Sequence, residues 1–399
     1  MAARIPTRVA DTNCFRAQKI GGTARPLGIR LKCGAAFAKE ASMQLSLDLR
    51  DAKSLRFIDL FCGIGGFRQA MENLSAELNV PVQCVFSSDI DAKCQISYAA
   101  NFGDKPVGDI TQVKEQDVPA HDLLLGGFPC QPFSIIGQKR GFEDTRGTLF
   151  FDIARILKER KPAAFVLENV KMLEKHDKGR TLARILETIR ELGYDCAYAI
   201  LNALDFGLPQ KRERIFIVGY RPGISFQMPT GGFPRKTLAD LLEKSVDPKH
   251  FASDHIRGNR EARIGQKKNK LTGEPTIWHE NKSGEISAKP YACALRANAS
   301  HNYLLVNGER RLTPREMFRL QGFPDSYKIT AKDHAARKQA GNSVAVPVVE
   351  AVIRAVFAAH GWDKPPSLKK QRAAAKPKDL AAVAKGDLPT RAPKSKLRP

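Results

Sequence analysis

The sequence has no C-x-x-C pair, and none of its eight cysteines (14, 33, 62, 84, 94, 130, 196 and 293) has a histidine at metal-ligand spacing. A zinc finger or ribbon is therefore excluded, no metal is expected, and a disulfide framework finds no support. Scattered thiols suit a reducing cytosol, so a cytoplasmic location is expected, with any single thiol left available for chemistry. No apolar run is long enough to cross a bilayer, so no membrane role is expected. Internal repeats are absent. The Arg-rich first 50 residues contain no apolar signal-peptide core. Met43 is an alternative start, which would leave residues 1–42 outside the native protein.

Acidic residues are also in deficit, 42 Asp/Glu against 65 Lys/Arg, for a net charge of +23. Residues 1–50 carry nine basic against three acidic residues, and residues 363–399 eleven against three. The remaining +9 lies on the body, so the excess is not confined to the ends. A basic body of this size points to a polyanionic partner, nucleic acid first. A basic surface kept for solubility is the competing explanation.

What is present is an α/β pattern. Arg56–Phe61 reads as a strand, Cys62-Gly63-Ile64-Gly65-Gly66-Phe67 as a glycine turn, and Arg68–Leu78 as a helix. This is the opening of a doubly wound nucleotide-binding sheet, although the glycine spacing is not G-x-G-x-x-G. The next strand, 83–88, ends at Asp89, whose carboxylate suits ribose hydroxyls, with apolar Ile90 beside it for an adenine face. Asp91 reads equally well as a helix cap. Gly108-Asp109-Ile110 offers another carboxylate at a strand end.

Leu123-Leu124-Leu125 runs into Gly126-Gly127-Phe128-Pro129-Cys130-Gln131, a buried strand ending in a rigid loop that presents a thiol. Cys130 reads as a nucleophile or as a small buried hydrophobe, and the loop alone does not separate the two. Strand 164–170 ends in Glu168-Asn169-Val170, a carboxylate at the sheet mouth that becomes a proton donor if burial raises its pKa. Helix 179–192 and strand 195–202 follow. In Gln210-Lys211-Arg212-Glu213-Arg214, the two arginines project to one face of an extended segment, for oxyanion or phosphate contact or as a solvated charge run. Residues 221–310 are rich in proline, basic groups and aromatics, and read as a small, irregular, β-leaning module. Thr313-Pro314-Arg315-Glu316 is a capping box opening a helix to about Leu320, and Gly341-Asn342-Ser343-Val344 precedes a helix at about 347–359.

These segments, in this order, closely resemble the cytosine-C5 DNA methyltransferases. The resemblance rests on Asp59–Gly66, Asp89, Gly108–Ile110, Phe128–Gln131, Glu168–Val170, Gln210–Arg214, Arg311–Glu316 with Gln321-Gly322-Phe323-Pro324, and Gly341–Val344. It implies a class I methyltransferase fold: Rossmann-like α/β, a doubly wound mixed sheet, and an inserted target-recognition domain. The implied organisation is a poorly ordered basic extension (1–54), a catalytic S-adenosylmethionine-binding domain (55–222), the target-recognition domain (223–310), a return to the catalytic domain (311–361) and a disordered basic tail (362–399).

The resemblance also implies the chemistry. Cytosine C5 is a poor nucleophile until a thiolate adds at C6, and Cys130 would form that bond. Glu168 would hold N3, Arg214 the O2, and Arg212 would position Cys130 or the DNA backbone. S-adenosylmethionine would be held by Phe61, Gly63, Gly65 and Gly66, with Asp89 on the ribose, Ile90 and Ile110 on the adenine faces, Asp109 on the adenine amine, and Asn342 and Ser343 at the methionine end. Where family members often carry Glu and an aromatic, this chain has Asp89-Ile90. Inside the recognition module, Lys267, Lys268 and Lys270 are candidates for phosphate contact, and Arg296 and Asn298 for base reading. The expected partner is double-stranded DNA, the expected state a monomer, and the expected setting restriction–modification, with a cognate endonuclease on the same site, or solitary regulatory methylation. Two alternatives stand: a transfer-RNA cytosine-C5 methyltransferase of the same fold, and a catalytically silent DNA-binding module.

The tail yields the first test. If its eleven basic residues grip phosphate, deleting 363–399 makes the dependence of log K on log[salt] shallower, by about 0.9 per lost contact, and leaves the methylated sequence unchanged. A filter-binding salt series with methylation sequencing checks both halves, and a changed target sequence counts against this role.

Overall fold

The computed structural model describes residues 54–129, 149–264, 275–281, 283–300 and 302–364. The expectations placed on residues 1–53, on Cys130, on Lys267, Lys268 and Lys270, and on the tail beyond 364 lie outside the described residues. The first strands are β1 (Leu55–Leu60), β2 (Val82–Ser88), β3 (Leu123–Gly127), β4 (Ala164–Val170), β5 (Asp195–Asn202), β6 (Gln210–Lys211) and β7 (Glu213–Tyr220). Later come β8 (Ile277–Glu280), β9 (Ile286–Lys289), β10 (Ala292–Cys293), β11 (Leu304–Val306) and β12 (Arg310–Arg311). The first helices are α1 (Gly66–Leu78), α2 (Ala92–Phe102), α3 (Leu149–Arg160) and α4 (Arg180–Glu191), and the later ones α5 (Asp254–Ile264), α6 (Pro314–Leu320), α7 (Asp333–Asn342) and α8 (Val346–His360).

Six strands form the main sheet, in the order β2-β1-β3-β4-β7-β5. β1 pairs parallel with β2 and β3, and β3 with β4, whereas β7 runs antiparallel between β4 and β5. Strands covered on both faces need apolar residues at consecutive positions. Leu123–Leu125 and Ala164–Leu167 supply them and are fully buried. Phe57, Leu123, Leu125, Val166, Phe216 and Val218 enter the core shared with α1 and α8. Ile58, Leu60, Leu124, Phe165, Leu167 and Ile217 enter the opposite core, with α3 and α4. The result is the mixed α/β sheet the sequence implied. Chain order reverses at β1, with β2 on one side and β3 on the other, so the carboxyl ends of β1 and β3 open the crevice where such sheets bind ligands.

Helix α7 was not anticipated from sequence. Its buried positions are Ala336, Gln339, Ala340 and Gly341, too small and polar to mark a helix by periodicity. Asn342 is thus the last residue of a helix and Ser343 its C-cap, rather than part of a free turn. Helix α2 was also unread, and Asp91 caps it by accepting from Lys93 N at 2.9 Å. The stretch Asp333–His360 is apolar and long enough to span a membrane by length and composition, but α8 spends its apolar face on α1 and the core.

The inserted region carries a four-stranded antiparallel sheet, β12-β11-β8-β9, with Ile264 of α5 packed on Trp278 and Ile286. It is bonded to the segment that leads into β7 of the main sheet, because β10 pairs parallel with β6. Beyond it the capping box forms as read. Thr313 Oγ1 accepts from Glu316 N at 3.2 Å, and Glu316 Oε2 accepts from Thr313 N at 2.9 Å. The same carboxylate, fully buried, accepts from both Arg310 terminal nitrogens at 2.9 and 2.8 Å and from Glu243 N at 2.9 Å. Glu316→Ala strands a nearly buried guanidinium and two backbone donors, and is expected to cost about 3–5 kcal/mol. Urea unfolding measures it, and a loss below about 1 kcal/mol would refute this role.

Candidate active site

At the end of β1 the chain turns through Phe61, which has φ 55°, Gly63 at φ 53° and Gly65 at φ 80°. A positive φ at a phenylalanine costs of order 1–3 kcal/mol and persists where the surroundings hold it. Here Cys62 N donates to Ser88 O at 2.9 Å and Gly63 N to Asp89 Oδ2 at 2.8 Å. The second Asp89 oxygen accepts from Asp91 N at 2.8 Å. Burial pushes the Asp89 carboxyl up, and the Asp91 and Gly63 N–H groups pull it back. A Cβ on Gly63 would meet nothing within 4 Å, whereas one on Gly66 would strike Val344 at 2.5 Å. Gly63 therefore faces open space, and Gly66 admits the turn after α7. Gly65 does not line the cavity; its Cβ would lie 2.2 Å from the Phe102 ring, so it serves close packing.

Further along the same edge, Asp109 caps a short 3-10 turn by accepting from Thr111 N at 3.0 Å, with Ile110 buried behind it. Ile90 is 75% exposed at the cavity rim.

The other end is built on β4 and β7. Glu168 faces Phe216 across the antiparallel pair, which makes Arg214 its diagonal neighbour. Arg214 Nε lies 3.0 Å from Glu168 Oε1. Burial raises the Glu168 pKa, opposed by Arg214 and then Arg212, so a proton is retained to higher pH than on an exposed glutamate. Gly127, three residues before Cys130, is the strand partner of Glu168. Asn169 Nδ2 donates to Phe128 O at 3.0 Å and so holds the residue after β3 against β4.

Arg212 is buried rather than presented to solvent. Its guanidinium donates to Leu295 O at 3.1 Å, Gly341 O at 3.2 Å and Ser343 O. Burial, then the Arg214 charge, pulls its pKa down to about 9. Committed to three carbonyls, it acts as a clamp, and a DNA-backbone role is not open to it in this arrangement. Two glutamines, to which the sequence assigned no role, complete the clamp. Gln210 Nε2 donates to Leu320 O at 2.7 Å, and Gln321 Nε2 to Ala340 O at 2.6 Å. Nothing local marks them, because their partners are 19 to 110 residues away.

One cavity of about 1440 Å³ joins these parts, larger than an ordinary small-molecule site. Phe61, Gly63, Gly66, Asp89, Ile90, Asp109, Ile110, Asn342 and Ser343 line it, as do Glu168, Arg212 and Arg214. Arg296 and Asn298 are exposed on the loop after β10 and do not line it.

Residues 55–358 match the family model described as C-5 cytosine-specific DNA methylase. The chain belongs to this family. It is 54% identical over 296 residues to the type II methyltransferase M.NgoBI of Neisseria gonorrhoeae, across 74% of this chain and 90% of that protein. It is 50% identical over 302 residues to M.HaeII of Haemophilus aegyptius, across 75% and 92%. The solved structure of the Dnmt2 methyltransferase of S. pombe aligns with a TM-score of 0.56 at 19% identity, covering 76% of this chain and 98% of that one, a likeness of fold. The match to the C-5 cytosine-specific DNA methylases starts at β1 and ends within α8, so every wall of the cavity lies inside it. The chain is accordingly a DNA cytosine methyltransferase, and S-adenosylmethionine is its family's methyl donor. The cavity fits that group at the cradle left open over Gly63 and at the Asp89 carboxylate.

Sequence reasoning gave no role to Asp59. Its carboxylate is fully buried on β1, and among the described residues neither oxygen has a well-formed hydrogen bond. Burial pushes it up to about 8; Arg68 opposes the shift and Asp89 adds to it. The folded state then holds a proton that the unfolded chain releases near pH 4, so this stability is present at low pH and is lost as pH rises towards 8. Asp59→Asn should flatten the fall by an amount on the order of a few kcal/mol. Chemical denaturation from pH 5 to 9 measures it, and parallel curves for both proteins would contradict the assignment.

Proposed function

We propose that the chain transfers a methyl group to C5 of one cytosine in a specific double-stranded DNA sequence, with the base flipped out of the helix and bonded at C6 to Cys130. The observation that carries this reading is the single cavity with an Asp89–Gly63 cradle at one end and the Glu168–Arg214 pair at the other. S-adenosylmethionine, when bound, supplies an electrophilic methyl group. Asp89 would accept from its ribose, Ile90 and Ile110 would flank the adenine, Asp109 would take the adenine amine, and Phe61, Gly63, Asn342 and Ser343 would enclose the methionine end.

On the cytosine side, the Cys130 thiolate adds to C6, which makes C5 nucleophilic. Glu168, holding its proton through burial, donates to N3 and offsets the charge that the addition puts on the ring. Arg214, fixed by Glu168, donates to O2. After methylation, the C5 proton leaves to water, N3 returns its proton to Glu168 and the Cys130 thiolate is expelled, which restores the aromatic ring. A stacked base presents neither face to these groups, so extrusion from the duplex is required. Cys130 takes its role from its place in the family pattern and from Gly127, three residues earlier, pairing with Glu168.

Lys267, Lys268 and Lys270 are assigned to phosphate, and Arg296 and Asn298 to the bases. The setting we favour is a monomer acting on cytoplasmic DNA within a restriction–modification pair, its relatives being type II methyltransferases. The domain limits 55–222, 223–310 and 311–361 belong to this reading.

Transfer of labelled methyl groups to duplex DNA and to transfer RNA, side by side, tests the substrate. Label on duplex DNA alone is expected, and label on RNA alone would sink the reading. Cys130→Ala should abolish transfer. Glu168→Gln should slow single turnover by about 10²–10⁴-fold. Wild type should lose rate as pH rises through the raised Glu168 pKa, and the Gln variant should lack that limb.

A further inference from the structure

The loop after β10 is too well anchored to be an ordinary solvated connection. Leu295 is gripped on both sides of its peptide by the strand segment that carries the two arginines. Its N–H donates to Gln210 Oε1 at 3.0 Å, and its carbonyl accepts from Arg212 at 3.1 Å. The next two residues lie directly on Gly341, where an added Cβ would come 2.5 Å from Ala297 N and 2.7 Å from the Arg296 carbonyl carbon. Arg296 N donates to the buried Tyr303 hydroxyl at 3.0 Å, and the Arg296 guanidinium stands 4.7 Å from the Tyr303 ring centre. The side chain is nevertheless exposed, and among the described residues it has no carboxylate partner.

Much of the freedom an arginine loses on binding is therefore already lost here. A contact to phosphate supplies orientation without sequence information and has no need of so exact a placement. A planar fork carried on a fixed backbone and resting on the Tyr303 ring suits a planar pair of acceptors. In the major groove that pair is guanine O6 and N7. The location fits as well: Leu295 shares Arg212 with the cavity, and Arg214, two residues on, holds Glu168.

We propose that Arg296 reads a guanine next to the target cytosine, on a loop whose position is set by Gln210, Arg212 and Gly341. This rests on the reading of the cavity as a cytosine site, and it adds which base is recognised and by which residue.

The test is a library of duplexes with all four bases at each position around the methylated cytosine, scored separately for equilibrium binding and for single-turnover methylation. Wild type should favour guanine at one position beside the cytosine by about 5- to 150-fold. Arg296→Ala should flatten that position alone. Arg296→Lys, which keeps the charge and loses the fork, should flatten it too and guards against misfolding of the alanine variant. An equal loss across all sequences with a shallower salt dependence would mean a phosphate contact and would overturn the proposal. So would an undiminished guanine preference in both variants, or the absence of any such preference in wild type. Guanine-selective binding, lost in the variants, with no methylation by wild type would uphold the proposal while refuting the catalytic reading.

Discussion

A guanidinium taken out of water must hand its N–H groups to acceptors, and Arg212 finds its three acceptors on two distant parts of the chain. Leu295 belongs to the inserted region, Gly341 to the end of α7, and Ser343 to the turn that covers the glycine loop after β1. One planar group thereby ties the inserted region to the end of α7 and to the turn over the glycine loop after β1. The cost of burial is visible in its depressed pKa, yet a value of about 9 leaves it charged at neutral pH, as a clamp on carbonyl oxygens requires. Among the described residues its buried Nε has no hydrogen-bond partner, and the three carbonyls are held by the terminal nitrogens.

The Glu168 end of the cavity shows a related balance. Two arginines beside one carboxylate would ordinarily keep it ionised, but burial outweighs them at Glu168 and the net displacement is upward. The same arginines that hold the side chain in place lower its proton affinity, and desolvation raises it by more. Asp89 follows the same pattern with backbone N–H groups in place of arginines.

Much of this was legible in the order of residues because it is local. Apolar runs such as Leu123–Leu125 announce buried strands, and a carboxylate just past such a run, as at Asp89 or Glu168, sits at the sheet mouth for geometric reasons alone. The capping box at Thr313 is local too, and it formed. What escaped depends on contacts far away in sequence. Arg212 reads like Arg214, since alternate residues on an extended segment look equivalent, and only the fold turns one inward to the clamp and leaves the other on Glu168. Helix α7 hid behind alanine, glutamine and glycine because the surfaces it meets are close and need small side chains. Gly65 was grouped with its neighbours as a ligand-facing glycine, whereas the ring of Phe102 explains it.

The two-residue pairing of β10 with β6 has a consequence for anyone exchanging sequence specificities between relatives. Measured along the chain, residues 292–295 lie within the irregular stretch, but Ala292, Cys293 and Leu295 are bonded to the segment Pro209–Arg212 that leads into β7. A chimaera cut at the edges of the irregular stretch would import a foreign seam into the middle of the clamp. The transplantable portion is better taken as two pieces, one on either side of this seam, with Ala292–Leu295 retained from the host as though they were part of its own sheet.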